Sequence, residues 1–345
     1  VTFAVMLIGI CGNIASDAAI VIVPAIAAAI FASMGRHPLA GIAIGYASTT
    51  AGFSANLFIA GTDALLAGIT NESSKIVNGP EIPIAANYYV MVISTFILAA
   101  ICTYITDKVI EPRLGKYQGT KQMENQELSA EENAGLKAAG KAALIYLAIL
   151  IIALIPKSSF LRNPDTGSII TGSPFMSGII PIILFLFLVT TIPYGIKIGK
   201  IKSSGDIPKL MTKAIGTMSS FIVLAFIIGQ FISYFNWTNL GLVLAISGAN
   251  FLTSLGFTGI GLFIGYILLC TFVNLFIGSG SAKWAILAPI FVPMMTLLGY
   301  HPAWTQFLYR IGDSSTNIIS PLFPYFPIVL AFLSEYDEKA GVGTL

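Results

Sequence analysis

Residues 278–302 have the sequence GSGSAKWAILAPIFVPMMTLLGYHP, and residues 12–38 have the sequence GNIASDAAIVIVPAIAAAIFASMGRHP. In both stretches a proline follows a serine after eight residues, and both stretches end in Gly-x-His-Pro. Each is followed by an apolar segment that contains Ser-x-Asn, at 54–56 and at 315–317. Because these matches occur in the same order, we interpret them as an internal duplication, and this duplication decides the predicted fold.

The composition around the duplication is that of a membrane protein. Hydrophobic residues make up 56% of the 345 residues and charged residues 10%, whereas a soluble domain has about 25% charged residues. The mean hydropathy is +0.85. A chain this apolar is neither a soluble enzyme nor a disordered segment, and a net charge of +2 gives no support for nucleic-acid binding. We predict an all-α polytopic membrane protein.

The predicted membrane helices are apolar stretches near the length of about 20 residues that a bilayer requires. Between them, the segments 107–141 and 197–213 are rich in Lys and Arg, which places them in the cytoplasm, and 157–173 is poor in both, which places it outside. The same parity puts 69–87 outside and the turn near Arg36 inside. The predicted helices are 88–106, 142–156 with its flanks, 174–196, 214–235 and 258–277, with a weaker candidate at 240–256.

With this topology, the two copies of the duplication enter the membrane from opposite sides. Inverted repeats with interrupted helices are typical of secondary transporters. We therefore predict an inverted-repeat transporter with two re-entrant hairpins, at 12–34 and 278–298, and two discontinuous helices, at 39–68 and 303–333. Polar backbone at membrane depth lines a cavity or is packed in protein, so we expect the breaks to form the site.

The duplication also predicts how the chain is divided. Residues 1–68 are the transport part of repeat one, and residues 278–345 are the transport part of repeat two. Residues 69–141 contain an outer loop, a membrane helix and a cytoplasmic loop, and residues 142–277 contain the scaffold-type helices of repeat two. The chain starts and ends without elements that the repeat pattern requires, so we expect it to be truncated at both ends.

Six charged residues lie in or beside the apolar segments. Each charge costs roughly 2.5–3.5 kcal/mol at the bilayer centre, so such residues usually face the bundle interior and are functional. Asp63 lies seven residues after Asn56, which places both on the same face of a continuous helix. The six residues are Asp17, Arg36, Asp63, Lys283, Arg310 and Asp313.

The polar breaks predict a cation site. Hydroxyl, amide and carbonyl oxygens suit a hard cation such as Na⁺. The coupling ion is left open between Na⁺ and H⁺, because Asp63 and Asp17 are also able to carry a proton. The candidate ion ligands are Asn13, Ser16, Asp17, Ser54, Asn56, Asp313, Ser315 and Asn317.

The same breaks predict a site for an aromatic carboxylate. Helix N-termini carry positive dipole ends that favour a carboxylate, and Lys283 or Arg310 adds a charge-assisted hydrogen bond. Trp284 offers a face on which an aromatic ring stacks. Three structural alternatives stand beside these roles: Arg310 pairs with Asp313 three residues later, Asp17 caps the helix that follows it, and Trp284 lies at the membrane–water interface.

Five motifs have a specific sequence: Ser54-Ala-Asn-Leu-Phe with Gly61-Thr-Asp-Ala-Leu-Leu-Ala-Gly-Ile69, Glu111-Pro-Arg-Leu-Gly115, Phe235-Asn-Trp-Thr-Asn239, Gly278 to Pro293, and Arg310-Ile-Gly-Asp-Ser-Ser-Thr-Asn317. Together they resemble the AbgT family of p-aminobenzoyl-glutamate transporters, some of which are described as antimetabolite exporters. The resemblance extends over essentially all of the chain. It departs at residues 12–17, GNIASD, where related transporters often have Ser-Asn-Thr.

The resemblance implies a homodimer in which a scaffold part supports a transport part with two hairpins, and an elevator-like motion. Asn56 and Asn317 lie in the matched break motifs, and Lys283 is expected to tune the charge of the substrate. The functional positions that the family implies here, with Lys283 added as a substrate-binding candidate, are Asp63, Ser281, Trp284, Pro302, Arg310 and Pro321.

We expect an ion-coupled secondary transporter that moves p-aminobenzoyl-glutamate or related sulfonamide-type compounds across the cell inner membrane. The alternatives are a proton-driven antimetabolite efflux pump, an ion channel and an intramembrane enzyme. An enzyme is disfavoured because no HExxH motif or Ser/His/Asp set is present, and His37 and His301 both precede prolines at turns. The expected partners are a small-molecule substrate, the lipid bilayer and a second copy, with no nucleic acid and no cofactor beyond Na⁺ or H⁺.

Overall fold

The structure of the chain is a computed structural model. It describes residues 1–15, 17–117, 129–169, 173–217, 237–254, 259–320 and 325–337, together with 223, 226–227, 230, 233–234, 256, 323 and 340–344. The helices of ten or more residues in this part of the chain are numbered in order. They are α1 (Thr2–Gly12), α2 (Asp17–Ser33), α3 (Pro38–Thr50), α4 (Gly61–Ser74), α5 (Tyr88–Ile105), α6 (Ala130–Leu154), α7 (Ile179–Lys197), α8 (Asp206–Thr217), α9 (Leu240–Ser254), α10 (Ile260–Asn274), α11 (Gly280–Leu297), α12 (Pro302–Asn317) and α13 (Phe326–Tyr336).

Three helical stretches among these residues are long and apolar enough to cross a membrane. They are Tyr88–Leu114, Ala130–Leu154 and Gly280–Leu297, with mean hydropathies of 2.0, 1.9 and 1.3. Shorter apolar helices accompany them, α1, α10 and α13 among them. The predicted helices 88–106, 174–196, 240–256 and 258–277 are confirmed as helical within one to a few residues at each end, whereas most of 214–235 lies outside the described residues.

The first of these stretches is longer than the sequence predicts. α5 continues through a π-type turn, Thr106–Ile110, and a final helical turn, Glu111–Leu114. The polar segment predicted to begin at 107 therefore begins after 114. Asp107 and Glu111 do not end the helix, because the guanidinium of Arg36 forms ion pairs with both. The hydrogen bond to Glu111 raises the pKa of Arg36 above its ordinary value, so this cation stays charged.

Residues Gln126–Gly229 form one of two compact units of the chain. Within it, α6 packs against α7, and the Tyr146 hydroxyl donates to the Ile182 carbonyl at 2.8 Å. α6 begins well before the predicted residue 142. The reason is a capping box in which Ser129 and Glu132 each accept a hydrogen bond from the other's backbone N–H.

Residues Val1–Asn125 and Gln230–Leu345 form the other unit, which contains both copies of the duplication. We call 2–74 repeat one and 260–336 repeat two. Repeat one runs α1, α2, α3, a break and α4; repeat two runs α10, α11, α12, a break and α13. The two repeats therefore share one order of helices, although the predicted division of the whole chain into four parts stays a prediction.

The placement of the predicted hairpins at 12–34 and 278–298 is wrong, because each segment contains one continuous helix. α2 and α11 have no turn in their middle. The polar openings of the two segments instead separate α1 from α2 and α10 from α11. The helices contain Pro24, Pro289 and Pro293, and such prolines are tolerated inside membrane helices when neighbouring groups satisfy the freed carbonyls.

Both predicted discontinuous helices are confirmed as two helices with a break between them. α3 and α4 are separated by residues 51–60, whereas α12 ends at Asn317 and α13 begins at Phe326. The predicted break at 54–56 lies in the first of these. The break predicted at Ser315–Asn317 is wrong by one turn, because Ser315 and Asn317 still belong to α12.

The second half of each broken helix packs against the other repeat. α4 lies against α11 and α12, and α13 lies against α2 and α3. The apolar core between α13 and repeat one is fully buried and contains an aromatic contact between Tyr46 and Phe323. Its members are Ile20, Ala28, Leu39, Ile42, Tyr46, Phe323, Val329 and Leu333. This exchange brings residues from opposite ends of the chain into contact.

One glycine in each repeat allows two of its helices to approach closely. In repeat one, a Cβ on Gly45 of α3 would lie 2.7 Å from the Cα of Pro24 in α2. In repeat two, a Cβ on Gly312 of α12 would lie 2.6 Å from the Cβ of Cys270 and 2.8 Å from the Ile267 carbonyl oxygen in α10. The first half of each broken helix therefore packs directly against the backbone of a neighbouring helix.

Candidate functional site

A buried ion pair joins the two repeats. The Arg310 Nη2 atom in α12 lies 2.7 Å from Asp63 Oδ1 in α4, and neither side chain is more than 5% exposed. The other carboxylate oxygen of Asp63 accepts a hydrogen bond of 2.7 Å from the Ala60 N–H at the start of α4. A buried charge is tolerated when it is paired and hydrogen-bonded, so Asp63 holds Arg310 at the end of the first break.

A second buried ion pair lies inside repeat two. Lys283 Nζ of α11 lies 2.6 Å from Asp313 Oδ1 of α12, with side-chain exposures of 0% and 2%. The same ammonium donates to the amide oxygen of Asn274 and approaches the Ile277 carbonyl at 3.4 Å. All of these contacts are to oxygen atoms, so the ammonium lies in a small cage of oxygens.

These two pairs overturn the alternative in which Arg310 pairs with Asp313. The two side chains are three residues apart on α12, but they point to different neighbours, Arg310 to α4 and Asp313 to α11. The structure also changes the expectation that Lys283 or Arg310 is a free cation for a substrate carboxylate. Each of them already binds one carboxylate of the protein.

Asn274, the last residue of α10, is a functional candidate that the sequence did not single out. Its Nδ2 atom lies within hydrogen-bond distance of the Asp313 carbonyl, the Thr316 hydroxyl and the Asn317 amide oxygen, at 2.7, 2.8 and 2.9 Å. Asn317, a predicted ion ligand, therefore uses its oxygen inside the protein. The available signal in the sequence was an amide residue in the apolar predicted helix 258–277.

Trp284 lies in the protein interior, so the interpretation of this residue as an interface aromatic is wrong. Its side chain is fully buried, and its indole N–H lies 3.2 Å from the Leu66 carbonyl and 3.1 Å from the Thr70 hydroxyl of α4. The ring packs on Tyr309 with centroids 4.5 Å apart. Trp284 thus binds the two repeats together, and the stacking face predicted for a ligand is covered by Tyr309.

The break of repeat one is held by amide side chains. Asn13, directly after α1, donates to the Gly52 carbonyl at 3.1 Å, and the Asn56 amide oxygen accepts from the Phe58 N–H at 3.1 Å. The buried Oδ1 atom of Asn13 has no hydrogen-bond partner among the described residues. This oxygen is free to be one of the several oxygen ligands that a cation needs, and the cation site itself stays a prediction.

The predicted relation between Asn56 and Asp63 is wrong. The prediction placed both on one face of a continuous helix, but no regular helix joins them, and α4 begins only at Gly61. Asp63 lies in the first turn of α4, where its carboxylate caps the helix. Ser54 connects the break to repeat two, because its N–H donates to the Ser314 hydroxyl at 3.0 Å.

A cavity of about 230 Å³ lies beside the break and the Arg310–Asp63 pair. Its lining is mostly apolar and comes from residues 51–55, from α5 with the preceding Asn87, and from α12. Two of the lining side chains retain a buried donor without a partner among the described residues, Arg310 at Nε and Asn87 at Nδ2. An apolar cavity with a few convergent polar groups is the usual form of a small-molecule site, and unpartnered donors favour an acceptor such as a carboxylate.

Both Gly-x-His-Pro motifs form helix starts. The His37 Nδ1 atom accepts from the Leu39 N–H and the His301 Nδ1 atom accepts from the Ala303 N–H, both at 3.3 Å. Burial lowers the pKa of His37, which favours the neutral form that accepts this bond. The turn role of the histidines is therefore confirmed, and Pro302 occupies the first turn of α12.

The remaining predicted positions are less informative. Ser16 and Pro321 lie outside the described residues, as does the Asp17 side chain, so its capping role is not tested here. Ser281 is half-buried in the first turn of α11. Ser315 is exposed and lines the cavity, where its hydroxyl approaches the Gly312 carbonyl at 3.4 Å.

The chain matches known proteins along its whole length. The AbgT transporter family matches residues 1–345. The p-aminobenzoyl-glutamate transport protein of Escherichia coli (strain K12) is 42% identical over 345 residues, which cover 99% of this chain and 68% of that protein.

Two solved structures are similar to this fold. The YdaH transporter of Alcanivorax borkumensis superposes with a TM-score of 0.94 at 37% identity, over 99% of this chain and 72% of that one. MtrF of Neisseria gonorrhoeae, which is described as illuminating a class of antimetabolite efflux pumps, superposes with a TM-score of 0.89 at 42% identity, over 99% of this chain and 69% of that one. The chain therefore belongs to the AbgT family of multi-pass membrane transporters and is not an enzyme.

Proposed function

We propose that the chain is part of an ion-coupled secondary transporter that moves p-aminobenzoyl-glutamate or a related aromatic carboxylate across the cell inner membrane. The observation that carries this proposal is the apolar cavity with its two unpartnered donors, Arg310 Nε and Asn87 Nδ2. The 42% identity to the Escherichia coli protein supports this class of substrate.

We assign roles to the residues that line this cavity. A substrate carboxylate accepts hydrogen bonds from Arg310 and Asn87, and the aromatic ring of the substrate lies on the apolar wall that includes Met91 and Phe307. Asp63 keeps Arg310 in place and is the group with which the substrate carboxylate competes. The roles expected for Ser281, Pro302 and Pro321 remain part of this proposal.

The cavity must widen to accept such a substrate. Its volume of about 230 Å³ is below the roughly 300–1,000 Å³ of ordinary ligand pockets. An elevator-like movement of the two repeats, within a homodimer that supplies the scaffold, provides this opening. The hairpins in this proposal are the helix pairs α1–α2 and α10–α11, in inverted orientation, rather than the shorter segments 12–34 and 278–298.

The proposed coupling cation is Na⁺ at the break of repeat one. The Asn13 amide oxygen is buried and unpartnered among the described residues, and Ser54 and Asn56 lie in the same break. The alternative is a proton carried by Asp63. Export of antimetabolites driven by the proton gradient is the second candidate function, and the likeness to MtrF favours it.

The test is the flux of labelled p-aminobenzoyl-glutamate into proteoliposomes that contain the full-length protein. Na⁺ and proton gradients are imposed separately and in each direction. Accumulation that follows the Na⁺ gradient supports the sodium-coupled uptake, and flux that requires an opposing proton gradient supports the exporter. Ohmic, unsaturable flux would contradict both, because a channel needs no alternating access.

Two variants make this test specific. We expect Asn87→Leu to weaken substrate binding, because it removes a donor from the cavity and keeps its apolar character. The control is Lys75→Gln, which alters an exposed ion pair with Glu72 and lies outside the cavity lining. Equal substrate affinity in both variants would contradict the assignment of this cavity to the substrate.

A further inference from the structure

The Lys283 ammonium occupies a site that has the ligands of a monovalent cation. Three oxygens of different kinds surround it: the Asp313 carboxylate at 2.6 Å, the Asn274 amide oxygen, and the Ile277 carbonyl at 3.4 Å. Carboxylate, amide and backbone oxygens are the ligands that hard cations prefer. The ammonium is fully buried, so its charge is neutralised inside the protein by Asp313 and not by solvent.

The corresponding place in repeat one has the same amide and no ammonium. Asn274 donates to the Asp313 carbonyl, and Asn13 donates to the Gly52 carbonyl, in both cases to a residue 39 positions later. Yet α2 contains no lysine or arginine, and Gly52 stands where repeat two has Asp313. The amide oxygen of Asn274 binds Lys283, whereas that of Asn13 has no partner among the described residues.

We propose that the oxygens of Asn274, Ile277 and Asp313 form a monovalent-cation site that Lys283 fills with its own ammonium group. Repeat two then needs no cation from solution, and any external cation binds at repeat one. This inference concerns ion coupling and therefore rests on the proposed function. Cation binding is nevertheless measurable without transport.

The physical basis is charge balance. Replacing Lys283 by methionine keeps an apolar stem but is one atom shorter, so it vacates the place of the ammonium. The Asp313 carboxylate then has no cationic partner and only a long contact of 3.4 Å with the Tyr309 hydroxyl. An uncompensated buried charge is strongly unfavourable, so Asp313 takes up either a cation from solution or a proton. Because the remaining ligands are oxygens around a cavity of ammonium size, Na⁺ is the occupant that the geometry favours.

The experiment is equilibrium binding of radioactive Na⁺ to the purified full-length protein in detergent. We expect Lys283→Met to bind one more Na⁺ per protomer than the wild type. The matched control is the double variant Lys283→Met/Asp313→Asn, which has the same cavity without the carboxylate and should bind no additional Na⁺. A single variant that binds as many Na⁺ ions as the wild type would overturn the proposal, because Asp313 would then have taken up a proton.

Thermal unfolding gives a second measurement. Na⁺ should raise the melting temperature of Lys283→Met in a concentration-dependent way relative to choline, because a ligand that binds only the folded state stabilises it. The double variant should show no such additional rise. A single variant that fails to fold even in Na⁺ would also overturn the proposal, since Na⁺ would be unable to replace the ammonium. These measurements do not depend on transport. If Lys283→Met binds an extra Na⁺ but the wild type shows no flux, the proposed function is contradicted and the cation site is not.

Discussion

The breaks of the two repeats are built differently, although the helices around them follow the same order. In repeat one the chain leaves the helix for residues 51–60 and the break is lined by neutral amides and hydroxyls. In repeat two the helix continues to Asn317, and the neighbouring Lys283–Asp313 pair fixes it to α11. The two repeats thus share one order of helices, but repeat two contains a buried ion pair, whereas repeat one keeps a buried amide oxygen without a partner among the described residues.

The largest effect is expected when the Arg310–Asp63 ion pair between the two repeats is broken. Arg310→Met leaves the buried Asp63 carboxylate without a cation, with only the Ala60 N–H as donor. Removing one member of a buried pair typically costs about 3–5 kcal/mol. We expect loss of flux and a large fall in the free energy of unfolding in detergent. The double variant Asp63→Asn/Arg310→Met should recover most of the stability and none of the flux. Equal stability of the single and double variants would show that the pair is not buried in the working protein.

The close helix contacts provide the next largest effect. Gly312→Ala would place a methyl group 2.6 Å from the Cys270 Cβ, and Gly45→Ala would place one 2.7 Å from the Pro24 Cα. Overpacking of this kind costs about 1–3 kcal/mol, so both variants should unfold at lower temperature. Gly68→Ala in α4 is the control, because no atom lies within 4 Å of its added Cβ. Because alanine favours a helix more than glycine does, the control variant should be unchanged or slightly more stable. A control variant destabilised as much as the other two would contradict the packing explanation.

The amides of the two repeats should differ in their contribution to stability. Asn13→Ala removes one hydrogen bond to a carbonyl, which is worth about 1 kcal/mol. Asn274→Ala removes bonds to α12 and also an oxygen that binds the Lys283 ammonium, and bonds to charged groups contribute about 1.5–3 kcal/mol. The free energy of unfolding should therefore be lower for Asn274→Ala than for Asn13→Ala. The reverse order would contradict the inference that the amide of repeat two contributes more to stability than the amide of repeat one.

The smallest effects are expected at the Gly-x-His-Pro turns. Arg36 in repeat one binds Glu111 and, through Nη1, the Thr2 hydroxyl at 2.7 Å. Tyr300 in repeat two accepts a hydrogen bond of 2.9 Å from the Gly259 N–H. Arg36→Lys and Tyr300→Phe should each cost about 1 kcal/mol or less.

The stability changes of Arg36→Lys and Tyr300→Phe should differ in their dependence on salt. Because the Arg36 pairs are partly exposed, high ionic strength screens them and should shrink the difference between Arg36→Lys and the wild type. The difference between Tyr300→Phe and the wild type should not change with salt. Melting curves at low and high salt measure both, and a salt-independent Arg36→Lys effect would contradict the electrostatic role of this turn.

Local sequence patterns predicted the elements whose causes are local. The His-Pro pairs start α3 and α12 because a histidine that precedes a helix can cap it and a proline suits its first turn. The break at 54–56 was likewise predictable from polar residues within an apolar segment. The hairpins at 12–34 and 278–298 were misplaced because each duplicated stretch, from its polar opening to its His-Pro end, was taken as a whole hairpin. Each stretch forms only one helix, and the preceding apolar helix supplies the other half of the pair.

The partners of the charged residues were not predictable in the same way. Arg310 and Asp313 are close in sequence, which favours a local pair, but Arg310 binds a carboxylate 247 positions away. Trp284 suggested an interface because indoles often lie there, yet its N–H finds acceptors in α4. In each case the partner lies in α4 of the other repeat. α4 is the second half of a broken helix, and it comes close to these residues only in the folded protein.

The sequence by itself determined that this chain is a duplicated, all-helical membrane transporter, because composition, helix length and the two matching stretches are properties of the chain alone. It also determined which charges are unusual, since any charge in an apolar segment stands out. Only the tertiary structure decided that Asp63 neutralises Arg310, that Asp313 neutralises Lys283, and that Asn13 keeps an unpartnered oxygen. The physical reason is that electrostatic neutralisation depends on distances of a few ångströms between helices, and these distances are set by packing across the two repeats.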